Sequence, residues 1–202
     1  MMKAPAGTAG YGSRATELAA QYESITFEAV HRDVIHLFPQ HDADVLDIGA
    51  GSGRDAAALA ARGHRVVAIE PTLELRQEGK RLHPLPNLEW VDDHLPLLQV
   101  MRSSARRFDL ILLTAVWMHL DEAERKAAMS AVAELVRAGG VIVMSLRHGP
   151  VPEGRQMFDV SADETIALGQ QAGLQEHHRS TREDMLGRGD VTWSFLALKR
   201  EP

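Results

Sequence analysis

The chain of 202 residues contains no cysteine. Disulfides, thiolate metal sites and a cysteine nucleophile are therefore excluded. A cysteine-free chain suits a reducing compartment, and a cytoplasmic setting is expected. No stretch approaches the ~20 apolar residues that a membrane-spanning helix needs, so no membrane association is expected. The opening MMKAPAGTAGYGS lacks the apolar core of a signal peptide and reads as a flexible start. Basic residues are not in excess: 22 Lys and Arg stand against 28 Asp and Glu, for a net charge of -6. No basic block breaks this balance, which argues against a broad nucleic-acid surface. No HExxH, Cys/His cluster or carboxylate pair is present, so no metal is expected. His177-His178 falls on an expected strand, where neighbouring side chains point to opposite faces and cannot share one ion.

What is present is ordinary for a soluble domain: 45% hydrophobic and 25% charged residues. The length fits one domain over 1–202, read as an N-terminal helical cap (1–40) and a core (41–202). In the cap, residues 13–38 place Leu18, Tyr22, Ile25, Val30, Val34 and Ile35 near helical spacing. In the core, short apolar runs alternate with helical segments. Strands are expected at 43–50, 64–71, 87–93, 108–116 and 141–146. Helices are expected at 53–63, at 72–83 with Thr72 as N-cap, at 95–105, and at 121–140 closed by Gly139-Gly140. A last helix is expected at 161–173 with Ser161 at its start. Two final strands, LQEHHRS and VTWSFLALKR, follow with no helix between them. This order predicts an α/β fold, a mostly parallel sheet with helices on both faces and an antiparallel edge hairpin.

The sharpest local signal is VLDIGAGSGRD. Gly49, Gly51 and Gly53 lie between a buried strand and a helix, where they permit a tight turn and a close ligand approach. The dinucleotide fingerprint GxGxxG would place a third glycine at position 54, which is Arg54. Asp47, two residues before the first glycine, would repel a pyrophosphate but accept from an ammonium group. Glu70 ends the second strand, where a carboxylate accepts from both hydroxyls of a ribose. Asp92 and Asp93 end the third strand. One of the two is expected to accept from an adenine amino group, with Asp92 slightly favoured.

These motifs, in this order and spacing, resemble the class I S-adenosylmethionine-dependent methyltransferases. VLDIGAGSGR is similar to the family's first motif, Glu70 to its ribose-binding acid and WVDDHLP to its adenine region. FDLILLTAVWMHL and VRAGGVIVMSL are similar to its fourth and fifth strands. The resemblance covers about 43–147. It implies a Rossmann-like sheet of seven strands, the last inserted antiparallel, and S-adenosylmethionine as cofactor. It further implies that Thr114 lines the cofactor, that Arg14 in the cap pairs with the cofactor carboxylate, and that Tyr22 walls the site. For each of these three, simple packing is the competing reading.

Methyl transfer needs a positioned acceptor, and a base only where the acceptor must lose a proton. Trp117 and His119 follow the fourth strand; Trp117 is a candidate pocket wall and His119 a candidate base. Arg147 and His148 follow the fifth strand in a Pro- and Gly-rich loop on the ligand side, Arg147 as a candidate acceptor ligand and His148 as a second candidate base. The Asn/Asp-Pro-Pro-aromatic motif of exocyclic-amine methyltransferases is absent, and without cysteine the cysteine-dependent methylation of pyrimidine C5 is excluded. A small-molecule acceptor and a monomer or homodimer are expected. The alternatives are a protein or peptide acceptor, a catalytically silent binding module, and a nicotinamide dehydrogenase, which Arg54 disfavours.

Overall fold

The computed structural model describes residues 10–202. The start MMKAPAGTA, read above as flexible, lies outside the described residues. β1 (Asp44–Ile48), β2 (Arg65–Ile69), β3 (Leu88–Val91), β4 (Phe108–Thr114) and β5 (Val136–His148) run parallel. β6 (Leu174–Glu183) and β7 (Thr192–Arg200) form the closing hairpin. The sheet order is β3-β2-β1-β4-β5-β7-β6, so β7 lies antiparallel between β5 and β6. The seven-stranded, mostly parallel architecture is the one the alternation predicted.

Strand pleating sorts the core into two layers. Ile111, Leu113, Ile142, Met144, Leu146, Leu196 and Leu198 face one side, against α5 (Gln99–Ser103), α6 (Glu122–Leu135) and α7 (Ala162–Gln171). Leu110, Leu112, Val141, Val143, Phe195 and Ala197 face the other, against α2 (Phe27–His31) and α3 (Arg54–Ala61). α1 (Ala15–Glu23) packs Leu18 on Leu75 of α4 (Leu73–Leu82). The expected cap helix over 13–38 is thus two helices with a 3-10 turn before and after. Thr26 starts the second by accepting from the Ala29 N–H at 3.2 Å.

Three sequence boundaries are corrected. The helix expected over 121–140 stops at Leu135: Val136 pairs with Phe108, and Arg137 reaches Asp109 at 2.5 Å and Asp44 at 3.1 Å. Gly139, with φ +78, bends a strand rather than ending a helix. The start of that helix is as the acids indicated, with Asp121 and Glu124 forming a capping box. Thr72 precedes α4 but its hydroxyl caps nothing and is buried without a partner. The 95–105 helix shortens to Gln99–Ser103.

One packing contact is tight enough to predict from. A Cβ at Gly79 would run into the Trp90 ring and sit 2.9 Å from the Ser52 carbonyl oxygen. Gly79→Ala is expected to cost about 1–3 kcal/mol in urea denaturation, despite alanine's better helix propensity. An unchanged or raised midpoint would contradict this packing.

Candidate functional site

The carboxyl ends of the parallel strands open into a cavity of about 660 Å³. The cap covers it on one side; the loop after β5 and the β6–β7 turn cover it elsewhere. This is where ligands of open α/β sheets bind. Gly49 and Ala50 donate their N–H groups to the Ile69 carbonyl at 2.8 and 2.9 Å, which folds the glycine loop back over β2. Gly51 has φ +57, and an added Cβ would stand 3.2 Å from the Tyr22 ring. Tyr22 therefore lies over the glycine loop, and burial pushes its phenol up to about 12.

Asp47 lines this cavity, is buried, and has one oxygen, Oδ2, with no hydrogen-bond partner. Burial pushes its carboxyl well above the ordinary range, and the Asp55 charge adds to this. Asp55 is treated differently. Burial raises it, but His31 at 2.8 Å and Arg54 at 2.7 Å hold it below the usual carboxylate range. Thr114 donates its hydroxyl to the same Asp55 carboxylate at 2.9 Å. Arg54 also donates to the Tyr22 carbonyl at 3.1 Å. A buried ionic cluster thus ties the glycine-loop helix to the cap. Sequence reading missed His31 and Asp55, because nothing in the order of residues brings a cap histidine to α3.

Glu70 accepts from the Gly51 N–H at 3.0 Å and the Thr72 N–H at 2.8 Å. Burial raises its carboxyl, and those two N–H groups pull it back. Each oxygen keeps acceptor capacity. Asp92 and Asp93 fare otherwise. Asp93 is buried with its oxygens on the N–H groups of His94 and Met101, both at 2.9 Å. Asp92 turns outward to Arg76 at 3.0 Å. Neither lines the cavity, where His94 and Leu95 stand instead. The expected adenine carboxylate is corrected accordingly: Asp93 is a local cap and Asp92 an ion-pair partner.

Beyond the fourth strand, Trp117 and His119 separate. Trp117 is fully buried in the core and does not wall the cavity, because the 3-10 turn Trp117–His119 points it inward. His119 lines the cavity. Its Nδ1 lies 2.9 Å from the Gln156 carbonyl, which can only accept, so Nδ1 carries the proton and Nε2 keeps a lone pair. Nε2 faces the Tyr11 hydroxyl at 3.4 Å. Burial lowers the pKa of His119.

β5 runs through His148, and its alternation divides the other pair. Arg147 lines the cavity. His148 does not: it lies on the opposite face, its Nε2 2.8 Å from the Ser194 hydroxyl. Its candidacy as a base is therefore corrected. Arg14 stands at the cavity rim, held by Glu17 at 2.9 and 2.6 Å. The loop after β5 supplies Arg155, Gln156 and Phe158, none of them singled out from sequence. Arg155 stacks 4.1 Å over the Tyr11 ring. Among the described residues no cluster of His, Asp and Glu could hold a metal, and no helix is long and apolar enough to cross a membrane. The His177-His178 pair sits at a strand bulge, with the His178 ring beside His36.

Residues 45–140 match the family model described as a methyltransferase domain. An uncharacterized methyltransferase of Alkaliphilus oremlandii is 31% identical over 100 residues, which make up 50% of this chain and 44% of that protein. Ubiquinone biosynthesis O-methyltransferase of Bartonella quintana is 28% identical over 130 residues, 64% of this chain and 51% of that protein. The chain thus spans about half the length of these curated relatives. Burkholderia thailandensis 1,6-didemethyltoxoflavin-N1-methyltransferase, solved with 1,6-didemethyltoxoflavin and S-adenosylhomocysteine, shares the fold. Its TM-score is 0.68 at 19% identity, covering 100% of this chain and 94% of that one. The matched segment runs from β1 into β5 and contains the glycine loop, Asp47 and Glu70. By this match residues 45–140 are similar to a methyltransferase domain, and by its sheet order the chain shares the fold of S-adenosylmethionine-dependent methyltransferases.

Proposed function

We propose that this domain is an S-adenosylmethionine-dependent methyltransferase that works in the cytoplasm on a small-molecule acceptor. The observation that carries the reading is Asp47: a buried cavity carboxylate with one oxygen unpartnered, beside a loop of glycines. That site fits an ammonium and disfavours a pyrophosphate. Gly49 and Gly51 line the cavity and leave the backbone open to the amino-acid end of the cofactor, whereas Gly53, also expected there, makes room for the Trp90 ring. Glu70 takes the ribose hydroxyls with its remaining acceptor capacity. Bound there, the cofactor supplies a methyl group already activated on a sulfonium. The chain's task is then to orient the acceptor, keep water out and receive a proton where one must leave. His119, with Nδ1 held by Gln156, presents Nε2 as that base. Tyr11 and Tyr22 cover the site from the cap.

A small acceptor is supported by the size of the cavity, within the usual ~300–1,000 Å³ range of small-ligand pockets. The relatives named for O- and N-methylation differ in acceptor atom, so the family does not set that atom here. Calorimetric titration with S-adenosylmethionine, S-adenosylhomocysteine and NADH tests the reading. Saturable binding of the first two and not of NADH is expected. Binding of NADH alone would replace the cofactor class, and turnover of no acceptor despite binding would leave a silent module.

A further inference from the structure

We infer that the methyl acceptor carries a carboxylate and that Arg147 binds it. The inference rests on the methyltransferase reading above and adds the acceptor's chemical class.

Arg147 is only 9% exposed and lines the cavity. Its Nε has no hydrogen-bond partner, and Nη1 reaches only the Gly149 carbonyl, at 3.4 Å. No carboxylate lies within ion-pair distance of it among the described residues. Of the other cavity guanidiniums, Arg155 also lacks a carboxylate among the described residues but is stacked over the Tyr11 ring at 4.1 Å, and the remaining four are paired. Arg54 is held by Asp55 at 2.7 Å, Arg182 by Asp33 at 3.2 Å, Arg188 by Asp184 at 2.7 Å and Arg14 by Glu17 at 2.6 Å. Asp184, the acid nearest in the turn, is already occupied by Arg188, by the Trp193 indole N–H at 2.9 Å and by the Leu186 N–H at 3.0 Å. A buried guanidinium without a counter-ion is costly, and a ligand carboxylate removes that cost.

Its position separates it from the cofactor's own carboxylate. Asp47 is the last residue but one of β1, and β4 lies between β1 and β5. Two strand spacings are roughly 10 Å. Along β5, Ser145 receives the Ala115 N–H at 2.9 Å, and Arg147 lies two residues beyond, about 7 Å further out. Trp193 pairs with Arg147 across the ladder, and Phe195 pairs with Ser145 on the same face. Both rings line the cavity, as does Met185 of the β6–β7 turn. An apolar, flat body ending in a carboxylate matches this wall.

The test uses protein saturated with S-adenosylhomocysteine, titrated with benzoate, 4-hydroxybenzoate and indole-3-acetate, each against its own amide. At least one acid is expected to bind tenfold or more tighter than its amide. Arg147→Gln is expected to abolish that preference and Arg147→Lys to keep part of it, with S-adenosylhomocysteine affinity unchanged within twofold in both. The lysine variant keeps the buried charge, so a folding failure of the glutamine variant still leaves a reading. Absence of any acid preference would overturn the inference. So would a preference that survives in Arg147→Gln, which would point to Arg155. A tenfold loss of S-adenosylhomocysteine affinity in Arg147→Gln would also overturn it, placing Arg147 on the cofactor. If S-adenosylhomocysteine does not bind the wild type, the methyltransferase reading itself fails, independently of the variants.

Discussion

His119→Asn is expected to slow methylation of an acceptor that must lose a proton by about 10²–10⁴-fold, with S-adenosylhomocysteine affinity unchanged. The Gln156 carbonyl fixes the neutral tautomer with Nε2 as acceptor, and the Tyr11 hydroxyl stands 3.4 Å from that nitrogen. Burial lowers the pKa of the ring below its ordinary ~6.5. The neutral, proton-accepting form therefore predominates at pH 7. In wild type the rate should fall only on the acid side, as pH drops through the lowered value, and the variant should lose that limb. Asparagine retains a donor for Gln156, which limits collateral damage to the loop. Turnover at the wild-type rate with the same pH profile would remove His119 from the chemistry.

Asp47→Asn is expected to have two effects of opposite sign. Affinity for S-adenosylhomocysteine should fall about 10–100-fold, the range for losing a charged hydrogen-bond partner. The free protein should be no less stable, and above neutral pH more stable. The sign follows from linkage. Burial and the Asp55 charge raise the folded-state pKa of Asp47 above its unfolded value of about 3.9. Its contribution is fully present below the unfolded value and is lost as pH rises through the folded one. Asparagine mimics the neutral form at every pH and should flatten that part of the stability profile. Urea denaturation of free protein between pH 5 and 8, beside calorimetry with S-adenosylhomocysteine, measures both arms. Wild-type affinity in the variant would show that the unpartnered oxygen does not face the cofactor.

Much of this was legible in the residue order because it is local. The glycine loop, the acid two residues before it and the alternation of apolar runs each sit within one strand–helix unit. What failed to read needed the third dimension. Trp117 follows a strand just as His119 does, and only the direction of a 3-10 turn separates core from cavity. Arg147 and His148 were equal candidates until β5 proved to extend through both, so the pleat sends them to opposite faces. Asp92 and Asp93 look alike as neighbours, but one caps a short helix and the other meets Arg76. The Arg54–Asp55–His31 cluster joins segments 24 residues apart. No local pattern encodes such a meeting.

The placement of β7 also bears on how the chain assembles. Its neighbours are β5, finished some 44 residues earlier at His148, and β6. While a ribosome is still making residues 149–191, β5 presents an apolar edge with no partner. Such an edge invites pairing with other chains. The sheet closes only when residues 192–200 slot between β5 and β6, a late and non-local step of the kind that slows folding. Trp193 and Phe195 arrive with that strand, so the acceptor wall is the last part of the cavity to form.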